Sequence, residues 1–296
     1  MDIVEAIVLG ITQGLTEFLP ISSSGHLILV PWLFNWEQNG LAFDAALHLG
    51  TLTAVFAYFW HDILRMIQAV PIALREPLTT LRYDAEAGAA ASDETAANRT
   101  FGKLGLLIVL ASIPGGAVGL LAQGAIEEFF HDDDHVDRSV LSVAVLLTAF
   151  AIVLLVAERR GSKSRGLASI CPRDAFAIGC AQAIALLPGV SRSGITISAG
   201  LFRGIRRADA ARFSFLLGVP LVTIAGLKGV ADIAQSSPDG RELVTLAAGM
   251  MSAAVSGLFA IWGLLRFLQQ SSTVIFVAYR LMAGIGVILL VASGAK

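Results

Sequence analysis

A series of apolar segments along this chain is long enough to cross a lipid bilayer. A helix needs about 20 predominantly apolar residues to span the hydrocarbon core. Only 15% of the residues are charged, against about 25% in soluble domains. The sequence therefore predicts an all-α integral membrane protein with six transmembrane helices, at 45–67, 101–123, 139–158, 209–232, 242–268 and 273–294.

Two further apolar regions, 3–35 and 174–203, are each interrupted near the middle. The interruptions are LPISSSGH at 19–26 and LPGVSRSG at 187–194. The arms on either side, about 10 to 17 residues each, are short for a transmembrane span. Irregular backbone is tolerated at membrane depth only when it is buried in protein or lines a wet cavity. We therefore predict two re-entrant helical hairpins whose loops face each other in the interior.

The two loops also resemble each other at a constant offset. Four residue pairs share an offset of 169: Gln13 and Gln182, Ser22 and Ser191, Ser24 and Ser193, Gly25 and Gly194. We interpret the chain as two repeat halves, 1–168 with hairpin 3–35 and 169–296 with hairpin 174–203. A polar insert at 76–99 in the first half is expected to be an exposed loop, with a short helix as the alternative.

Charge in the connecting loops predicts the orientation of the two hairpins. Loops 159–173 and 203–212 are rich in Lys and Arg, which marks the cytoplasmic side, whereas loop 127–138 is acidic. When the predicted spans are followed along the chain from these loops, the second hairpin enters the membrane from the cytoplasm and the first enters from outside. This is an inverted-topology repeat, whose site is expected at the repeat interface near the midplane.

The first arm of the first hairpin carries two polar residues on one face. Gln13 and Glu17 are four residues apart, the spacing of neighbours along a helix. An ionisable residue in an apolar segment is costly and indicates a functional site. Glu17 is expected to bind a divalent metal or to act as a general base. The alternative is an interfacial carboxylate that snorkels or pairs with an arginine.

The first loop then supplies three hydroxyls and an imidazole. Ser22, Ser23 and Ser24 precede a helix start, where free backbone N–H groups favour an anion, although an N-cap alone explains one of them. His26 can take a proton from a serine or give one to a leaving group. The spacing of three brings Ser23 and His26 near enough for a contact. The alternative is a structural histidine.

The second loop supplies a candidate phosphate clamp. Gly189 allows close backbone approach, and Arg192 lies between Ser191 and Ser193. A guanidinium at membrane depth requires an anion, and its fork matches phosphate oxygens. A structural ion pair with Glu17 is the alternative. The two loops together predict phosphoryl chemistry on a lipid-borne substrate.

Several other classes of protein are disfavoured by the composition and the termini. The formal net charge of −2 gives no reason to expect a nucleic-acid partner. Cys171 and Cys180 lack zinc or redox spacing and are expected to be free thiols. Asp2 and Glu5 stand where a signal peptide would be basic, so no cleaved signal is expected.

The paired loops also carry a family resemblance. QGLTEFLPISSSGH at 13–26 and LPGVSRSG at 187–194 closely resemble the two signature motifs of the undecaprenyl-diphosphate phosphatase family of the bacitracin-resistance type. FDAALHLGTLTAVFAYFW at 43–60, IPGGAVGLL at 113–121 and ARFSFLLGVP at 211–220 are similar to further family segments. The resemblance implies a hydrolase of the bacterial inner membrane that converts undecaprenyl diphosphate to undecaprenyl phosphate and phosphate for peptidoglycan synthesis.

The resemblance also implies residue roles and a cofactor. The acidic pair of the family falls on Gln13 and Glu17, where many members have Glu at both positions, so Gln13 is a weaker metal ligand or an orienting donor. The implied metal is Mg²⁺ or Ca²⁺. The serine–histidine pair falls on Ser23 and His26, and the essential arginine on Arg192. Either Ser23 attacks phosphorus or a metal-bound water does, with His26 as the acid and base.

The main alternative is a secondary transporter, because inverted repeats with broken helices are typical of transporters. A lipid flippase would combine transport with this substrate. A channel-like or structural protein would give Arg192 and His26 no function.

Asp44 lies where the family often has an acidic residue, with no direct role expected. The active site is expected to open to the periplasmic side. Chain length of the lipid, a homodimer and coupled flipping stay open.

Overall fold

The computed structural model describes residues 1–37, 40–82, 93–130, 136–236 and 239–294. These residues contain no β-strand, only one isolated bridge between Arg165 and Ile205. The helices, in chain order, are α1 (Ile3–Phe18), α2 (Ser23–Phe34), α3 (Leu41–Ala73), α4 (Pro77–Arg82), α5 (Asp93–Phe130), α6 (Val136–Arg160), α7 (Pro172–Ile184), α8 (Arg192–Phe202), α9 (Arg207–Ser236), α10 (Gly240–Gln270) and α11 (Val274–Ala292).

Parts of two predicted loops fall outside this range. Residues 83–92 of the predicted insert and residues 131–135 of the acidic loop lie outside the described residues. The described parts of the insert are helical, since α4 covers 77–82 and the first turns of α5 cover 93–99, so the insert is not a loop throughout.

Five helices in the described part of the chain are long and apolar enough to cross a membrane. They are Asn98–Ala122, Val136–Arg160, Arg207–Ala231, Gly240–Gln270 and Val274–Ala292. The sixth predicted segment, 45–67, lies within α3, whose backbone leaves helical geometry at Phe59 with φ −100° and ψ 19°, and it is not among the five. The all-α membrane architecture is therefore confirmed, and the count of six spans stays a prediction.

Small residues bring α1 close to α10. A Cβ atom on Gly10 would lie 2.0 Å from the Ser252 hydroxyl, and one on Gly14 would lie 1.9 Å from the Ser256 hydroxyl. Small residues four apart permit this close approach between membrane helices. On the same helix Gln13 is fully buried and Glu17 is only 7% exposed.

Two short helical pairs, α1–α2 and α7–α8, carry the interrupted segments. Ser22 precedes α2 with φ 78° and Ser191 precedes α8 with φ 73°, a region that residues other than glycine rarely adopt. Each serine hydroxyl accepts a hydrogen bond from a backbone N–H three residues on, at Gly25 and Gly194. The two loops thus share one local geometry at the offset of 169, while the division into halves stays a prediction.

The basic loops are held together by buried carboxylates. Asp174 is fully buried and accepts hydrogen bonds of 2.6 Å from both Arg165 and Arg203. Glu158 accepts a hydrogen bond of 2.9 Å from Arg207 Nε. These pairs join the connection between α6 and α7 to the connection between α8 and α9, and they fix this end of the bundle.

Candidate active site

The two loops lie against each other in the interior, as the sequence predicts. The Gly189 N–H donates to the Ser22 hydroxyl at 3.1 Å, and the Ser193 hydroxyl donates to the Leu19 carbonyl at 3.0 Å. Helices α2 and α8 both begin here. Their first N–H groups have no intrahelical acceptor, and the positive ends of both helix dipoles face this region. The junction is therefore suited to binding an anion.

Glu17 connects the polar groups of both loops. Its Oε1 accepts from Arg192 Nη2 at 2.8 Å, while its Oε2 accepts from the Ser23 hydroxyl at 2.5 Å and from Gln13 Nε2 at 3.2 Å. A buried carboxylate without partners would be strongly unfavourable. These three donors compensate for its burial, and they bring four predicted site residues into one cluster.

The Arg192 guanidinium is held in one place by its surroundings. Its side chain is 15% exposed, and Nη1 donates to the Ser214 carbonyl at 2.9 Å. On one side it packs against the bare backbone of Gly218, where a Cβ atom would lie 2.2 Å from Nη1. Only glycine at position 218 leaves room for the guanidinium in this position.

The ring nitrogens of His26 hydrogen bond to groups other than the Ser23 hydroxyl, so the expected hydroxyl–imidazole contact is wrong. Its Nδ1 lies 2.7 Å from the Ser22 carbonyl oxygen and its Nε2 lies 2.6 Å from the Tyr279 hydroxyl. A carbonyl can only accept, so Nδ1 carries the proton and Nε2 of the neutral ring accepts from the tyrosine. Ser23 is the first residue of α2 and its side chain reaches back to Glu17 on α1, whereas the histidine ring packs on α11.

The remaining predicted residues mainly shape the loops. Ser22 and Ser191 are the N-caps of α2 and α8, and Ser193 joins the loops through Leu19. Gly189 has φ +98°, and a Cβ there would lie 2.6 Å from the Val143 carbonyl oxygen. Capping therefore accounts for two of the serines.

Ser24 has a different setting from these serines. It is half-buried at the second position of α2. Its backbone N–H belongs to the first turn of the helix, which leaves it available to an anion.

Arg280 on α11 was missed by the sequence reasoning. It is fully buried and donates to the carbonyls of Leu147, Pro20, Gly189 and Val190 at 3.0 to 3.3 Å. It therefore ties both loops to α6. A basic residue inside the apolar segment 273–294 was the available signal, because such residues are costly in membranes.

His48 on α3 was also missed. Its Nε2 lies 3.8 Å from Glu17 Oε2, and its Nδ1 lies 2.7 Å from the Asp44 carbonyl oxygen. The carbonyl again requires a proton on Nδ1, so Nε2 is the ring nitrogen that faces the Glu17 carboxylate. Asp44 lies one helical turn before it. The signal was an imidazole within an apolar segment, four residues after an acidic one.

These features define a multi-pass helical membrane protein with an internal polar site, built from two loops, whose geometry is suited to an anion. The family described as Bacitracin resistance protein BacA matches residues 6–286. The chain belongs to that family, and the resemblance found in the sequence is confirmed.

Curated relatives are similar along the whole chain. A protein named undecaprenyl-diphosphatase from Thermomicrobium roseum is 44% identical over 298 residues, covering 100% of both chains. Proteins of the same name from Geobacter sulfurreducens and Desulforudis audaxviator are 44% and 42% identical, covering 96% and 98% of both chains.

Proposed function

We propose that this chain is a membrane phosphatase that hydrolyses undecaprenyl diphosphate to undecaprenyl phosphate and inorganic phosphate. It would thereby recycle the carrier lipid of cell-wall synthesis. The observation that carries the proposal is the contact between Glu17 and Arg192, which unites the two loops beside the Ser23 hydroxyl. The shared name of the full-length relatives supports the substrate.

Substrate binding rests on Arg192 and the two helix starts. The diphosphate is an anion, and the amino-terminal ends of α2 and α8 favour negative charge. Arg192 would exchange its bond to Glu17 for a bond to a phosphate oxygen, while Nη1 stays on the Ser214 carbonyl. The guanidinium then binds the phosphate that is transferred, and Glu17 is released to act on Ser23.

The nucleophile in this proposal is Ser23. Its 2.5 Å hydrogen bond to Glu17 Oε2 makes the carboxylate the acceptor of the serine proton as the oxygen attacks the terminal phosphorus. The Oγ–P bond forms, the P–O bond of the anhydride breaks, and undecaprenyl phosphate leaves. Water then attacks the phosphoserine, a proton returns to the serine oxygen, and inorganic phosphate is released.

His26 is assigned to proton exchange with the leaving phosphate. Its Nδ1 is committed to the Ser22 carbonyl, so Nε2 is the nitrogen available for proton transfer. In the resting site the Tyr279 hydroxyl occupies that position. The phenol would hold the ring in the correct tautomer until the substrate arrives.

A divalent cation, Mg²⁺ or Ca²⁺, would be held by Glu17 and Gln13. Within the described residues, Gln13 Oε1 is buried without a hydrogen-bond partner. Those residues contain no group of three His, Cys, Asp or Glu side chains suited to a metal. Mg²⁺ is often bound by one or two protein oxygens together with substrate phosphates, so the donor set fits. The cation would neutralise charge on the diphosphate oxygens.

The finer topology is also part of the proposal. Helix α3 would be the sixth span, and the pairs α1–α2 and α7–α8 would be re-entrant from opposite sides of the bacterial inner membrane. Helix α1 has 16 residues and a length of about 24 Å, which is shorter than the roughly 30 Å hydrocarbon core. The basic loops would be cytoplasmic, so the site would open to the periplasm.

Cysteine labelling tests this orientation. Asp137→Cys and Ser164→Cys would each be made in a background with Cys171→Ser and Cys180→Ser, and intact cells would receive an impermeant maleimide. Labelling at 137 and protection at 164 are expected. The opposite pattern would contradict a periplasmic opening.

Phosphate release by the purified protein in detergent tests the function. Vectorial transport is impossible there, so an enzyme should still hydrolyse undecaprenyl diphosphate. Arg192→Gln is the matched variant and should bind the lipid poorly and release little phosphate. A wild-type protein that binds the lipid but releases no phosphate would instead support a transporter or a flippase.

A further inference from the structure

The two oxygens of the Glu17 carboxylate have different neighbours. Oε1 accepts from Arg192, on the side where the substrate anion would bind. Oε2 lies 3.2 Å from Nε2 of Gln13 on α1 and 3.8 Å from Nε2 of His48 on α3. The Ser23 hydroxyl also donates to Oε2, at 2.5 Å. One carboxylate oxygen therefore faces the anion side, and the other faces two side chains that can each bind a cation.

The His48 ring is held in the orientation of a metal ligand. Its Nδ1 lies 2.7 Å from the Asp44 carbonyl oxygen and therefore carries a proton. Histidines that bind metals almost always donate the other ring N–H to a carbonyl or a carboxylate, which fixes the ring and directs the free nitrogen toward the ion. Here this arrangement directs Nε2 toward Glu17. The His48 side chain is 28% exposed, so the ring is not enclosed by protein.

The distance between His48 and Glu17 fits a cation placed between them. At 3.8 Å, His48 Nε2 and Glu17 Oε2 are too far apart for a direct hydrogen bond. Small divalent ions lie about 2.0 to 2.1 Å from oxygen and imidazole ligands. Two donors of one such ion can therefore be at most about 4.2 Å apart, and the observed separation is within that limit.

Gln13 supplies a further oxygen next to the same carboxylate. The residue is fully buried, and its Oε1 has no hydrogen-bond partner among the residues that the structure describes. A buried polar atom without a partner is costly. A half-turn of the amide would exchange Nε2 for Oε1, which would present this oxygen to the cation and free a lone pair on Glu17 Oε2. The donors are then a carboxylate oxygen, an amide oxygen and an imidazole nitrogen.

We propose that His48 is the third protein ligand of the divalent cation, and that it makes this site prefer a first-row transition ion such as Mn²⁺ over Mg²⁺ and Ca²⁺. This inference rests on the proposed function, in which Glu17 and Gln13 hold the cation. Mg²⁺ and Ca²⁺ take oxygen ligands, whereas an imidazole nitrogen suits transition metals. Glu17 is the only charged member of the three ligands, so the nitrogen adds affinity that charge does not supply.

Pulsed EPR of Mn²⁺ bound to the purified protein in detergent tests the ligand directly. The wild-type spectrum should contain the ¹⁴N coupling of a directly bound imidazole, and His48→Gln should lose it. His61→Gln is the matched control and should keep the coupling, because His61 is an exposed histidine on the same helix. A wild-type protein that binds no Mn²⁺, or binds it through oxygen ligands only, would overturn the proposal.

Competition between Mn²⁺ and Mg²⁺ gives a readout that a simple ion pair between His48 and Glu17 would not change. His48→Gln exchanges the imidazole for an oxygen donor. The affinity for Mn²⁺ should therefore fall by at least about tenfold relative to the affinity for Mg²⁺. An unchanged ratio of the two affinities would overturn the proposal.

Phosphate release measured on the same samples separates this inference from the proposed function. We expect the ¹⁴N coupling together with hydrolysis of undecaprenyl diphosphate. Mn²⁺ bound through nitrogen without hydrolysis would support the His48 ligand and contradict the proposed function. Hydrolysis with oxygen ligands only would overturn the His48 ligand and leave the proposed function standing.

Discussion

Gly218 on α9 packs against the guanidinium of Arg192, and this contact allows a substitution that moves the arginine without removing it. In Gly218→Ala the new methyl carbon would lie 2.2 Å from Arg192 Nη1, where ordinary contact begins at 3.4 Å. The methyl carbon would therefore be 1.2 Å closer to the guanidinium than an ordinary contact allows. The obstructing atom is the end of a flexible side chain, so the guanidinium should move by about that distance while the helices stay in place.

The expected cost follows from this displacement. A misplacement of about 1 Å in a catalytic geometry can cost roughly 100-fold in rate, which is about 2.7 kcal/mol of transition-state free energy. The bond from Arg192 Nη2 to Glu17 Oε1, now 2.8 Å, would lengthen, while Ser23 and Gln13 still donate to the same carboxylate. Stability should not fall in parallel, because alanine is favoured over glycine in a helix by up to about 1 kcal/mol.

The assay is phosphate release from undecaprenyl diphosphate, with thermal unfolding measured on the same samples. Gly286→Ala on α11 is the control, since a Cβ there meets nothing within 4 Å. We expect a kcat/KM about 100-fold lower for Gly218→Ala, with a similar Tm. Activity within about threefold of wild type would refute it, as would a fall in Tm that parallels the loss of activity.

Three further substitutions test individual roles. Arg192→Lys should fail to restore activity, because an ammonium lacks the bidentate fork, and turnover within about threefold of wild type would contradict the clamp. Tyr279→Phe should lower kcat by about tenfold, the effect of losing one hydrogen bond, and leave KM unchanged. ¹⁵N NMR should show an altered tautomer ratio at His26. An unchanged kcat would mean that Tyr279 does not assist His26. Ser23→Ala should lower activity by far more than the roughly 100-fold expected for losing a single hydrogen-bond donor. In the wild-type enzyme, rapid-quench mass spectrometry should find phosphate on the peptide that contains Ser23. Substantial residual activity in Ser23→Ala would favour direct attack by water.

The sequence predicted those contacts that follow from periodicity and from the cost of charge in a membrane. Gln13 and Glu17 share a face because they are four apart on a helix, and they hydrogen bond at 3.2 Å. Arg192 needed an anion at membrane depth, and Glu17 lies 2.8 Å from it. The ion pair between Arg192 and Glu17, which the sequence left open as the alternative to a phosphate clamp, is therefore present and lies in the same site.

Contacts that depend on tertiary packing could not be predicted in this way. The direction of the His26 ring is decided by Tyr279, which lies 253 residues further along the chain. No spacing rule links the two residues, whereas the local rule linked His26 to Ser23 and was wrong. Arg280 contacts the carbonyls of both loops, and carbonyl acceptors leave no signature in a sequence.

Two loops distant in sequence form a single site in this protein, and a double-mutant cycle on Glu17 and Arg192 measures whether they act as one unit. The measurement is kcat/KM for Glu17→Gln, for Arg192→Gln and for the double variant. Residues that act as a unit are strongly non-additive, and removing both also avoids an unpaired buried charge. We expect a double variant no less active than the worse single variant, within about threefold. Losses that multiply across the two substitutions would contradict a shared site.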